Sequence, residues 1–167
     1  MAVPSRTPDL AICLWFDGSA RAAAEFYVSI FPDSEITNVN MIRDGSDGGV
    51  SGREIALVDF RIAGRPFQAL DGGPHFTHSE AVSVVVPCET QEEADTYWDA
   101  LIGHGGTPSQ CGWLKDPFGV SWQVVPMPIL DLLGDPDPAR AAAAHAAMLE
   151  MSRLDLAAMR AAADAAG

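Results

Sequence analysis

Asp71, His75 and His78 bring a carboxylate and two imidazoles into one short stretch, a combination that could ligate a divalent ion or move a proton near neutral pH. They fall in a connection broken by Gly72-Gly73-Pro74, where a histidine is ordinarily just solvated, and solvation is the expected state here. Cys13, Cys88 and Cys111 form no C-x-x-C pair and leave an odd count, so neither a disulfide framework nor a zinc cluster is expected. Inside strands such thiols act as small hydrophobes; Cys111 has room for reactivity because a loop precedes it. Lys115-Asp116 runs into Pro117-Phe118-Gly119 and reads as a turn pair before it reads as a catalytic pair. His104 follows a helical pattern near its C-terminal end, where its charge suits the dipole, and His145 reads as a surface residue.

The elements that must position these residues occur twice. Leu10 to Phe16 is a short apolar run ended by Asp17-Gly18, which predicts a strand and a turn. Ser19 to Phe31 carries Ala23, Phe26, Tyr27 and Ile30 at helical spacing, with Pro32 as the stop. Strands are expected over Glu35 to Arg43, Glu54 to Ile62 and Phe67 to Leu70, with a loop at Asp44 to Gly52 and a turn at Ala63-Gly64-Arg65. The second half opens with the β-branched run Ala81 to Val86. Thr90 and Glu93 then make a T-x-x-E capping box for a helix through Ala94, Tyr97, Trp98, Leu101 and Ile102, which ends at Gly103. Strands around Cys111 to Leu114 and Val120 to Val125 follow.

The aromatic pairs Phe26-Tyr27 and Tyr97-Trp98 lie 71 positions apart, and the same offset carries Leu10–Phe16 onto Ala81–Pro87. Gly64 to Gln68 and Gly119 to Gln123 share the pattern G-x-x-aromatic-Gln. Each half is expected to have one sheet face covered by its helix and one bare, and joining two halves buries both bare faces or leaves a cleft. The reading is an α+β domain over residues 8–126 made of paired βαβββ modules, about 8–74 and about 79–126. Residues 127–167 form an alanine-rich helical hairpin started by Asp137-Pro138, with Ser152 and Asp155 as a second cap signal, packed on the domain or on a partner.

Composition sets limits on partners. At 167 residues the chain is one domain in length and buries roughly 68–70% of its unfolded surface. Apolar residues at 48% and charged residues at 20% fit a globular protein. The net charge is −13, with 23 acidic residues against 10 basic ones, of which Lys115 is the sole lysine and the nine arginines are scattered. Nucleic-acid binding draws on clustered Lys and Arg, so neither nucleic acid nor an anionic membrane is an expected partner. No apolar run approaches the roughly 20 residues of a membrane helix, no signal-peptide pattern opens the sequence, and a cytoplasmic location is expected.

A set of motifs then resembles a known family: Leu14-Trp15-Phe16-Asp17-Gly18, Glu25-Phe26-Tyr27, Leu70-Asp71-Gly72-Gly73-Pro74, Cys88 to Glu93, Cys111 to Asp116 and Ser121 to Pro126. Together they resemble the PhnB-like branch of the vicinal oxygen chelate superfamily, whose members often carry the label 3-demethylubiquinone-9 3-methyltransferase. The resemblance runs from about Pro8 to Ala163. It implies the glyoxalase-like fold and, commonly, a homodimer. It also implies a metal centre, because metal-dependent members place His or Glu on the first and last strand of each half. The carried-over positions are Ile12, Gln68, Ser83 and Gln123. Isoleucine has no donor atom, two neutral amides and a hydroxyl are weak ligands for a transition metal, and no metal or other cofactor is expected.

If the repeat holds, Gln68 and Gln123 face each other across a cleft floor with Ile12, Leu14, Phe16, Leu70 and Val125 as apolar walls and Trp113 at the border. Two readings of the glutamines stay open: they meet the carbonyl, amide or hydroxyl of a small molecule, or they bond each other and fill the floor. The function expected is binding of a small molecule. The alternative is a metal-dependent glyoxalase-, dioxygenase- or transferase-type enzyme using non-standard ligands such as His75 and His78. Methyl transfer from S-adenosylmethionine needs a glycine-rich loop between a strand and a helix. Asp71-Gly72-Gly73-Pro74 is followed by a linker instead, and the residues do not support that activity.

Overall fold

The computed structural model describes residues 10–43 and 54–167. The expected loop at Asp44 to Gly52 and the first two residues of the expected domain lie outside the described residues. The chain divides into two compact units, Met1–Thr77 and His78–Gly167. Each contains the order strand, helix, three strands, so the paired βαβββ modules are present.

In the first unit, β1 (Ile12–Phe16) leads into α1 (Ala20–Ile30), followed by β2 (Glu35–Arg43), β3 (Glu54–Ile62) and β4 (Arg65–Asp71). The sheet order is β1-β4-β3-β2. β1 runs parallel to β4 and the other pairs are antiparallel. Strand β3 shows why this sheet holds a helix on one side only. Ala56, Val58, Phe60 and Ile62 are buried, while the residues between them are half-buried and point the other way. Against that buried row α1 sets Ala20, Ala23, Ala24 and Tyr27. Tyr27 stacks on Phe60 at 6.1 Å and Phe60 on Phe67 at 5.6 Å. Each such side chain taken out of water contributes about 1.5–3 kcal/mol. The two-residue link Ala63-Gly64 closes the β3–β4 hairpin with φ of 47° and 73°, the positive pair that a tight hairpin turn of the right twist requires.

The second unit repeats the scheme with β5 (Val84–Cys88), α2 (Gln91–Ile102), β6 (Thr107–Pro108), β7 (Trp113–Lys115) and β8 (Ser121–Pro126). Its order is β5-β8-β7-β6, again with the first and last strands parallel. The capping box forms: Thr90 Oγ accepts from Glu93 N at 3.2 Å, and Glu93 Oε2 accepts from Glu89 N at 2.7 Å. Ala94, Trp98 and Leu101 are the buried stripe of α2, and Leu114, Trp122 and Val124 are the buried row of the sheet.

Residues 127–167 fall in the second unit. The expected hairpin is α4 (Pro138–Leu149), capped by Asp137, and α5 (Leu156–Ala166), capped by Asp155 Oδ1 accepting from Ala158 N at 3.0 Å. A short helix, α3 (Ile129–Leu133), precedes them and was not expected. Ile129, Leu132, Ala144, Leu154, Met159 and Ala163 close a buried cluster of their own. Gln91 ties this tail to α2, its Nε2 donating to Leu154 O at 2.8 Å and its Oε1 accepting from Leu156 N at 2.9 Å. Arg153 adds hydrogen bonds to Asp95 and Asp99 and lies over the Trp98 ring. Among the described residues no helix is long and apolar enough to cross a membrane.

Candidate functional site

Strand register decides which side chains can share a surface, because a slip of one residue moves a side chain to the opposite face. In the first unit Cys13 pairs with Gln68 and Trp15 with Leu70, whereas Ile12 pairs with Phe67 and Leu14 with Ala69. Gln68 and Leu70 therefore lie with Cys13 and Trp15 on the face turned away from α1. Ile12, Leu14 and Phe16 lie on the α1 face, where Leu14 and Phe16 are buried core residues and Ile12, at the strand start, is half exposed. The expected apolar wall of Ile12, Leu14 and Phe16 thus stands on the wrong side of its own sheet to flank Gln68. The residue beside Gln68 on the first strand is Cys13, whose thiol is shifted up by burial.

A further partner comes from β3. Asp59 is in register with Gln68, and Gln68 Nε2 donates to Asp59 Oδ1 at 2.7 Å. The alternation of β3 carried the signal, since Asp59 is out of step with the buried row Ala56, Val58, Phe60 and Ile62. Trp15 completes this face. Its Nε1 donates to Gly73 O at 2.7 Å, and its ring meets Phe76 edge-on at 5.0 Å. Gly72 lets the ring lie against the backbone, for a Cβ there would sit 2.1 Å from Trp15 Cζ2.

The second unit gathers more of the expected residues. Val85 and Trp113 are the register partners of Gln123, and Gln123 Nε2 donates to Ser83 Oγ at 2.8 Å. Ser83, Trp113 and Gln123 therefore occupy one face, turned away from α2. Val125 shares it by alternation but packs against the tail cluster. Gln68 and Gln123 each make a side-chain bond inside their own unit, to a carboxylate in one and to a hydroxyl in the other.

Several of the remaining candidates take structural roles. Asp71, paired with Phe16, points to the α1 side, and its Oδ1 accepts from Ala20 N at 2.8 Å, so it closes the start of α1 where Ser19 makes no side-chain cap. His75 is exposed. Asp116 is 3% exposed; its Oδ1 accepts from Phe118 N and Val120 N, and its Oδ2 from Trp122 Nε1 at 2.8 Å. Lys115 pairs with Glu80 at 2.8 Å and holds that carboxyl below its usual range. Cys88 is fully buried, and desolvation together with Glu93 pushes its thiol up to about 11. Cys111 adopts φ of 55° with Sγ 3.6 Å from Met148 O, tucked against the tail. Among the described residues no three His, Cys, Asp or Glu side chains come together in a group that could hold a metal ion.

The two faces share a composition. Each presents a glutamine held by a neighbour and a tryptophan, an arrangement that orients a polar group beside an aromatic wall.

Comparison with known proteins adds the lineage. Residues 8–125 match the family described as 3-demethylubiquinone-9 3-methyltransferase. A PhnB protein from Bacillus cereus, described with the same activity name, is 31% identical over 70% of this chain and 97% of its own, with a TM-score of 0.59. Protein PA1353 from Pseudomonas aeruginosa shares the fold at 18% identity, over 70% of this chain and 95% of its own, with a TM-score of 0.50. A fosfomycin resistance protein, FosX, from Listeria monocytogenes is 16% identical over 72% of this chain and 90% of that one, and its TM-score of 0.46 is too low to inform fold or chemistry. No protein of curated function matches. The family match ends at residue 125, short of the resemblance expected to run to Ala163. Since the matched stretch spans both βαβββ modules and the two shared Gln strands, the chain belongs to the PhnB-like 3-demethylubiquinone-9 3-methyltransferase family of the vicinal oxygen chelate superfamily.

Proposed function

We propose that this protein binds a small organic molecule through the strand faces that carry Gln68 and Gln123, without the divalent metal centre of its metal-dependent relatives. The observation that carries this reading is the donor set. The strand positions in register are Cys13 and Gln68 in one unit and Val85 and Gln123 in the other. Valine has no donor atom, and both glutamine amides already make side-chain bonds, to Asp59 and Ser83. A thiol with one neutral amide oxygen in the first unit, and an amide oxygen alone in the second, are each a poor set for a transition metal compared with imidazoles and carboxylates. They are a good set for orienting a polar group.

The methyl transfer in the family description finds no support in the Gly72-Gly73 run. Gly73 N donates to Phe16 O, Gly73 O accepts from Trp15, and Gly72 lies under the Trp15 ring. No helix follows that run to offer its N-terminus, since the next element is β5. A homodimer belongs to the same reading, on the resemblance to the family alone.

Two measurements on untagged full-length protein test it. Elemental analysis should give well under one metal ion per chain, and a chelator should leave the melting temperature unchanged. A thermal screen of small metabolites should yield stabilising compounds, since a ligand at 100 times its Kd adds about 2.7 kcal/mol. Substituting Gln68 and Gln123 should then weaken binding of such a compound. A stoichiometric ion whose removal destabilises the protein would overturn the metal-free part, and unchanged ligand affinity in the double variant would overturn the site.

A further inference from the structure

The Gln68–Asp59 pair has a fixed polarity. A carboxylate only accepts hydrogen bonds, so the group that Gln68 turns to Asp59 at 2.7 Å has to be its NH2. The amide oxygen of Gln68 is thereby committed to the other side, as an acceptor. Asp59 makes no ion pair among the described residues, and its charge stands on the face of the first sheet turned from α1. On that face Arg61, two positions along β3, donates to Gly64 O at 2.9 Å across the hairpin turn and lies opposite Glu35 of β2. Trp15 spends its only polar hydrogen on Gly73 O, is seated on Gly72 and meets Phe76 edge-on, so what this pair offers a ligand is aromatic surface. Cys13, beside Gln68, stays a neutral thiol, as its upward shift by burial requires.

From this we infer that the first unit takes a ligand presenting an ammonium or similar donor-rich cation to Asp59 and the Gln68 carbonyl oxygen, with a flat apolar portion against Trp15. Acceptors of one sign meet a positive donor well, and a charge-assisted hydrogen bond is about twice as strong as a neutral one. The same face disfavours carboxylates, phosphates and phosphonates, because an anion beside Gln68 would meet the Asp59 carboxylate. The inference rests on the proposed small-molecule function and specifies its ligand class.

Three probes of one shape test it on the full chain: phenethylamine, 2-phenylethanol and phenylacetate, titrated at neutral pH while the backbone and side-chain amide NMR signals of Cys13, Trp15, Asp59 and Gln68 are followed. The expected order is amine, then alcohol, then acid, with the amine about tenfold tighter than the acid. Asp59→Asn should collapse the amine–acid difference to about twofold while alcohol binding persists, since only the charge is removed. Gln68→Lys, which places a cation against Asp59 and neutralises it, should likewise collapse the amine–acid difference. A wild-type series in which phenylacetate binds as well as the amine overturns the inference, and it needs no variant to fold. Binding of none of the three at these residues overturns it as well; the metabolite screen then decides separately whether the protein has a ligand elsewhere. A preference that survives Asp59→Asn in protein with an unchanged amide spectrum overturns it too.

Discussion

The two units run through the same order of elements, yet they solve the same local problems with different parts. The start of α2 is closed from within its own sequence by Thr90 and Glu93, while the start of α1 is closed by Asp71, which arrives from the last strand of the sheet 51 residues later. The outer side of the first sheet is a hairpin of two nine-residue strands, β2 and β3. In the second unit the counterparts β6 and β7 have two and three residues. Backbone donors left by that shortening still need acceptors. The tail provides them: Cys111 N donates to Met151 O and Gly112 N to Ser152 O, each at 2.8 Å. Duplication therefore preserved the path of the chain and left each copy free to recruit different neighbours to finish it.

The sharpest way to break this comparison is through the tail. Leu154 is 3% exposed, lies in the tail cluster and touches the space a Cβ would need at Gly112. Leu154→Ala should cost about 2–5 kcal/mol in denaturant unfolding, and a loss well under 1 kcal/mol would show that the tail is not part of the second unit's core. The two helix starts allow a finer contrast. Asp71→Ala and Thr90→Ala should each cost about 1 kcal/mol in the folded protein. In isolated peptides only the second change should lower helicity by circular dichroism, because the first cap is supplied from another strand. Equal losses in both peptides would erase the distinction drawn here. The smallest effect concerns Cys88, whose folded thiol sits at about 11 against an ordinary 9.0. The folded state holds its proton longer than the unfolded one, so this contribution to stability is complete below pH 9.0 and is lost as pH rises toward about 11. Cys88→Ala should remove that part of the alkaline slope in a pH series of unfolding curves.

Much of this architecture was legible in the residues. The aromatic pairs late in each helix, the capping box and the G-x-x-aromatic-Gln strands located both modules, and Asp137 and Asp155 marked the tail helices correctly. What failed was the face of the first strand. Leu10 to Phe16 is apolar at every position, so it has no alternation from which to tell inside from outside. The spacing of 71 taken from the helices matched Ile12 to Ser83, whereas the strand pairings set Cys13 beside Gln68 and Val85 beside Gln123, an offset of 72 between the first strands of the two halves. A single-residue slip suffices to turn a wall residue into a core residue. Asp59 could have been found from the period of β3. The role of Asp71 could not, because nothing local links it to the start of α1. Helix α3 escaped for a related reason: Ile129 to Leu133 is too short to display a helical period.

The grip of Gln91 on Leu154 and Leu156 bears on how this molecule comes off the ribosome. One amide there serves as donor and acceptor for a stretch of main chain made more than sixty residues later. Until that stretch emerges, the N–H groups of Cys111 and Gly112 have only water to bond, and the second sheet waits half-finished through the synthesis of α3 and α4. Translation stalled anywhere in that interval would present quality-control proteases with a completed first half attached to an unfinished second one.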